Sequence, residues 1–114
     1  MTEMKTLYVC CLKIGAEELV KRLRKDPGKK VVFMDWPDIE IIEAFNAGEY
    51  TDLVTTYRPA RASGFKTNAD AIIHHDLPPG HKEDQFVKDV NNRAPGASIV
   101  YRFNDHFEYE GFTV

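Results

Sequence analysis

Asp52-Leu53-Val54-Thr55-Thr56-Tyr57-Arg58-Pro59-Ala60-Arg61-Ala62-Ser63-Gly64-Phe65, with Asp70-Ala71-Ile72-Ile73-His74-His75-Asp76-Leu77-Pro78 a few residues on, is the stretch whose reading decides the fold. Each segment opens with a strand-like piece, Asp52 to Thr56 and Asp70 to His75, that begins on an acid, runs through apolar residues and ends on polar ones. Unbroken apolar runs of this length mark strands covered on both faces, as in a parallel sheet. The reading is a strand at 52–56, a loop at 56–66 carrying Arg and Gly, and a second strand at 70–75.

Working outward, Thr6-Leu7-Tyr8-Val9-Cys10-Cys11-Leu12 is another continuous apolar run and predicts a buried strand. Gly15 is expected to open a helix in which Ala16, Leu19, Val20 and Leu23 repeat at helical spacing, with Glu17/Lys21 and Glu18/Arg22 pairs on the outer face. Asp26-Pro27-Gly28 stops it, and Lys30-Val31-Val32-Phe33-Met34 predicts the next strand. Asp35-Trp36-Pro37-Asp38 then supplies a cap and an early Pro for a helix burying Ile39, Ile42 and Phe45, closed by Gly48. After Pro78-Pro79-Gly80 a short helix should bury Phe86, Val87 and Val90 and end at Pro95-Gly96. Ser98 to Phe103 and His106 to Val114 alternate in polarity around Asn104-Asp105, the pattern of a hairpin whose inner residues are Ile99, Tyr101 and Phe103 and whose solvated face carries His106, Glu108 and Glu110. The expected architecture is a three-layer α/β domain, a mostly parallel sheet flanked by helices, ending in an antiparallel β-hairpin at 98–114.

The 114 residues suit one domain, 1–114, and seven Phe and five Tyr supply enough apolar area to exclude a disordered chain. No apolar stretch approaches the roughly 20 residues that span a bilayer. The start Met1-Thr2-Glu3-Met4-Lys5 lacks a signal-peptide pattern, so a cytoplasmic protein with no membrane partner is expected. Cys10 and Cys11, adjacent on a strand, point to opposite faces and are read as small hydrophobes rather than as a redox or zinc pair. The net charge of −3 is segregated: residues 1–34 carry +4, 35–57 carry −6, 58–66 carry +3 and 67–114 carry −4. Such a balance permits a local nucleic-acid contact and argues against a charge-driven, high-affinity binder.

Taken in order of elements over residues 6 to 103, the chain resembles the second RecA-like domain of superfamily 2 helicases, the helicase C-terminal domain. Val9-Cys10 with Gly15-Ala16-Glu17-Glu18-Leu19 is similar to that family's first strand and helix, and Phe45-Asn46-Ala47-Gly48-Glu49 to the turn before its Thr-Thr strand. The resemblance implies that Thr55, Thr56, Arg61, Ser63 and Gly64 face a nucleic-acid backbone, single-stranded DNA or RNA; on the same loop Arg58, Arg61 and Lys66 beside Tyr57 and Phe65 form the mixture that contacts phosphates and stacks on unpaired bases. Two departures imply lost catalysis. Phe65-Lys66-Thr67 stands where the family carries a nucleotide-site Asp, and of its two γ-phosphate arginines Arg93 alone is left, a vestige of the nucleotide site. No Gly-x-x-x-x-Gly-Lys-Ser/Thr occurs either. The expectation is a pseudo-enzyme without cofactor, acting in a nucleic-acid transaction beside a partner with a RecA-like domain.

Two rival readings come from the residues alone. Glu108 and Glu110, with the acidic stretch at 35–52, could bind a partner with a basic surface, as in a phage-like regulator or inhibitor of a nucleic-acid enzyme. His74, Asp76 and His81 suggest a 2-His-1-carboxylate metal enzyme, although His81 would have to fold back over Pro78-Pro79, and the plainer reading is a polar strand end. The Lys21 to Lys30 basic cluster reads as the wet side of a helix. Trp36 is either a lid on the core or an exposed anchor for a partner, and the lid is expected.

Overall fold

A computed structural model describes residues 4–75, 83–102 and 109–113. Its elements are β1 Thr6–Cys10, α1 Lys13–Leu23, β2 Val31–Met34, α2 Ile39–Asn46, β3 Asp52–Thr56, α3 Tyr57–Ala60, β4 Ala71–His74, α4 Glu83–Asn91, β5 Ser98–Arg102 and β6 Tyr109–Thr113. The strands lie in the order β2-β3-β1-β4-β5-β6. Five are parallel, in register from Thr6 beside both Asp52 and Ala71, and β6 runs antiparallel to β5. The expected turn at Asn104-Asp105, and Phe103, His106, Phe107 and Glu108 with it, lie outside the described residues.

Chain direction dictates the layers. The step from β1 to β2 moves one way across the sheet and every later parallel crossover moves the other way. Right-handed crossovers therefore place α1 on one face and α2, α3 and α4 on the opposite one. Two apolar clusters follow this division, and alternate residues of each strand feed them. Tyr8, Cys10, Val31 and Val54 pack against Ala16, Leu19 and Val20 of α1. Leu7, Val9, Met34, Leu53 and Ile72 pack against Ile42 and Phe45 of α2, Tyr57 and Ala60 of α3, and Val87 and Val90 of α4.

Local signals were legible with small shifts. Helix α1 begins at Lys13 rather than at Gly15, because Leu12 is extended and the helical bond from Ala16 N to Leu12 O already closes its first turn. Lys21 meets Glu18 one turn back instead of Glu17. Within the run expected to cap α2, Asp38 is the cap: its Oδ1 accepts from the amides of Glu40 and Ile41 at 3.0 and 3.3 Å. Ile39 then falls on the first helical position, beyond the sheet, and is exposed rather than buried. Cys10 is buried, while Cys11 lies just past the strand and is half-buried. The lid expectation for Trp36 is overturned, since its side chain is 65% exposed. Helix α3 replaces the start of the expected loop. Pro59 sits in its first turn, where a missing N–H costs no helical bond.

Candidate nucleic-acid interface

Ligands of open α/β sheets gather at the carboxyl ends of the strands, where neighbouring connections leave over opposite faces. Here the chain leaves β1 toward α1, while it leaves β3 and β4 toward α3 and α4. The end of β1 is thus flanked by two diverging connections. Around it stand Leu12, Lys13, Asp35, Trp36, Thr56 and Arg58. Lys13 Nζ lies 3.2 Å from Asp35, and the Arg58 guanidinium sits 5.5 Å from the centre of the Trp36 ring. Arg58 is exposed and forms no ion pair among the described residues. Leu12, Ile14 and Ile39 are exposed apolar neighbours in sequence of this rim.

The segment 55–66 does not present its residues to one surface. Thr55 is fully buried and its hydroxyl donates to Met34 O at 2.7 Å, so it binds β2 instead of facing a ligand. Tyr57 and Phe65 are core residues, because α3 turns the first inward and the 61–65 bend folds the second over α2. Arg61 is held by α4: Nε lies 2.9 Å from Asp89 Oδ2 and its guanidinium packs 3.7 Å from the Phe86 ring centre. Lys66 has travelled to the opposite, amino edge, where its carbonyl accepts from Asn46 Nδ2. There Lys5 Nζ also donates to Asn46 O and Asn68 Oδ1, next to the start of β1. A five-residue strand separates the two edges by about 13 Å. Only Thr56, half-buried, and Arg58, Ser63 and Gly64, exposed, remain on the carboxyl side.

Arg93 explains how the 61–65 bend is held. Its guanidinium donates to the carbonyls of Arg61 at 3.0 Å, Ala62 at 2.6 Å and Phe65 at 3.4 Å, while Nε donates to Asp89 O. The bend closes with Gly64 at φ +86°, a conformation that favours glycine. With the start of α2 it walls a cleft of about 220 Å³ lined by Pro37, Ile39, Ile42, Ser63, Gly64 and Phe65 among others. The resemblance implied that Arg93 is a vestige of a nucleotide site; the fold turns its donors onto the neighbouring backbone.

His74 is fully buried, with both ring nitrogens engaged: Tyr57 Oη lies 2.6 Å from Nδ1 and Asn91 Oδ1 lies 2.8 Å from Nε2. With Asn91 Oδ1 as acceptor, Nε2 carries the proton and Nδ1 accepts from the Tyr57 hydroxyl. Burial pushes its pKa below the ordinary value, the Asn91 hydrogen bond partly opposing it. His74 therefore fits the plainer reading of a polar strand end, because a metal ligand needs a lone pair that His74 already uses. Asp76 and His81 lie outside the described residues, and among those described no cluster of metal-ligating side chains forms. Neither this network nor the exposure of Trp36 could be found by sequence spacing, since both join residues from separate elements.

No family model matches the sequence, and no curated protein matches it. Solved structures do. The chain is similar to the C-terminal domain of the DEAD-box protein Dbp5, with a TM-score of 0.74 at 18% identity over 94% of this chain and 66% of that one. It is also similar to a Saccharomyces cerevisiae Dbp5 variant bound to RNA and ADP BeF3, TM-score 0.70 at 18% identity over 92% and 29%, and to the Pyrococcus furiosus Hef helicase domain, 0.65 at 21% over 92% and 22%. The chain therefore has the RecA-like fold of a helicase C-terminal domain. It spans just under two thirds of the Dbp5 domain and less than a third of the longer helicase chains. Among the described residues no helix is long and apolar enough to cross a membrane.

Proposed function

We propose that this chain is a non-catalytic module of the helicase C-terminal type, which holds single-stranded DNA or RNA at its carboxyl edge in the cytoplasm, beside a partner that supplies the phosphate-binding half. The observation that carries the reading is Arg58: an exposed guanidinium at the ligand-binding edge, unanswered by any carboxylate among the described residues. Thr56, Ser63 and Gly64 complete the contact surface, the amides of Ser63 and Gly64 being the part of the bend offered to a phosphate. The fold it shares with a Dbp5 chain bound to RNA and ADP BeF3 supports the same reading. ATP turnover by this chain alone is not expected, because the phosphate loop sequence is absent and the Arg93 donors are taken up by carbonyls.

A titration of single strands against salt tests the proposal. Affinity should fall as salt rises, and Arg58→Ala should lower the slope of log K against log salt by about 0.7, the single-strand value for one phosphate contact, without moving the melting temperature. Absence of binding at low salt would favour the rival reading, a protein-interaction module. That rival draws on exposed Leu12, Ile14 and Ile39 and on a Dbp5 C-terminal domain found bound to Gle1 and IP6. In its acidic-hairpin form it rests on Glu110, which lies on β6, and Glu108, outside the described residues; Glu110→Lys would then slow capture of a basic partner.

A further inference from the structure

We propose that Trp36 is a stacking platform for one unpaired base of a single-stranded nucleic acid, with Arg58 beside it serving the adjoining phosphate; the proposal rests on the nucleic-acid reading above. Trp36 is the sole tryptophan, and it is 65% exposed on a corner that is pinned on both sides. Before it, Asp35 is held by Lys13 at 3.2 Å. After it, Pro37 restricts its own φ, and Asp38 is fastened to the amides of Glu40 and Ile41. A large aromatic surface is thus presented to solvent from a rigid support, which lowers the ordering cost of a contact.

The charges around the ring identify the occupant. Asp35 is answered by Lys13, and Asp38 by the first amides of α2. Arg58, 5.5 Å from the ring centre, is the charge left without a counter-ion among the described residues. The guanidinium lies over the ring in a cation–π contact, and the π surface still exposed together with that unanswered charge matches the two halves of a nucleotide, a base to stack and a phosphate to bind. Because every base offers a π face, the contact should be nearly blind to sequence. A protein occupant would instead be expected to bury Leu12 and Ile14 together with Trp36, so these two residues separate the cases.

The single tryptophan makes the test direct. The full chain is titrated with fluorescently labelled oligothymidylate about ten nucleotides long and with an abasic oligomer of equal length, following tryptophan emission and label anisotropy together. The expected result is quenching by the base-bearing strand alone, with Trp36→Ala weakening its binding roughly five- to hundredfold, to the level of the abasic strand, at an unchanged salt slope. Trp36→Phe should restore part of the loss, and Leu12→Ser with Ile14→Ser should leave binding as in wild type. Binding seen in anisotropy with unquenched emission and full affinity in Trp36→Ala overturns the stacking and leaves the nucleic-acid reading standing. A loss in the Leu12/Ile14 variant as large as that in Trp36→Ala also overturns it, in favour of an apolar docking face. No anisotropy change with either strand at low salt overturns both readings.

Discussion

The two edges of the sheet use polar residues in opposite ways. At the amino edge Lys5, Asn46, Asn68 and Asp70 bind one another: Lys5 N donates to Asp70 Oδ2 at 2.8 Å, Asn68 N to Asn46 Oδ1 at 3.0 Å, and Lys5 Nζ bridges the end of α2 to Asn68. At the carboxyl edge Arg58 meets the Trp36 ring and both face solvent. A group whose hydrogen bonds close inside the fold stabilises it and has nothing left for a ligand. One that faces solvent adds little to stability, so its substitution should be felt in binding.

The brace between the edges should show the largest effect. Arg93→Ala removes charge-assisted bonds to three carbonyls of the 61–65 bend and is expected to cost about 3 kcal/mol in chemical denaturation. Because the bend also carries Ser63 and Gly64, strand affinity should fall with it. A variant of wild-type stability would show that the bend holds itself. Asn46→Ala comes next: it deletes the bonds to Lys66 O and from Asn68 N, and should lower stability by about 2 kcal/mol while leaving the strand titration untouched. Weakened binding in that variant would break the division between the edges.

The buried imidazole gives a smaller, pH-dependent term. Burial lowers the pKa of His74 from its ordinary 6.5, so on acidification the unfolded chain takes up a proton before the folded one does. Stability should accordingly be full above about pH 6.5 and decline as pH falls from there toward the lowered folded value. Melting curves of His74→Gln should lack that part of the decline, and parallel curves for the two proteins would remove His74 as its source. The smallest expected effect is none. Lys66→Ala should match wild type in strand affinity and salt slope, in contrast to Arg58→Ala, although both lie in the one basic segment 58–66. Equal losses in the two would return Lys66 to the interface.

How much of this was legible along the chain depended on the reach of the signal. Apolar runs and helical periodicity act within one element, so the order of strands and helices, the positions of Ala16, Leu19 and Val20 against the sheet, and the burial of Phe45 and Val90 could be read in advance. The candidate site could be read only as a segment. Adjacent residues of an ordered segment can be carried to different surfaces. Here four residues of helix sent Tyr57 into the core and the following bend delivered Lys66 to the far edge, leaving Arg58 where a ligand can reach it.

By itself, then, the sequence determined a doubly covered parallel sheet and the segment from which its site is built, because burial on both faces demands continuous apolar strands. Tertiary structure alone decided which side chains remain available. Asp89 claims Arg61, the bend's carbonyls claim Arg93, Tyr57 and Asn91 claim His74, and among the described residues Trp36 stays 65% exposed. Those choices are made by partners 17 to 32 positions apart in the chain, brought together only when the helices close over the sheet.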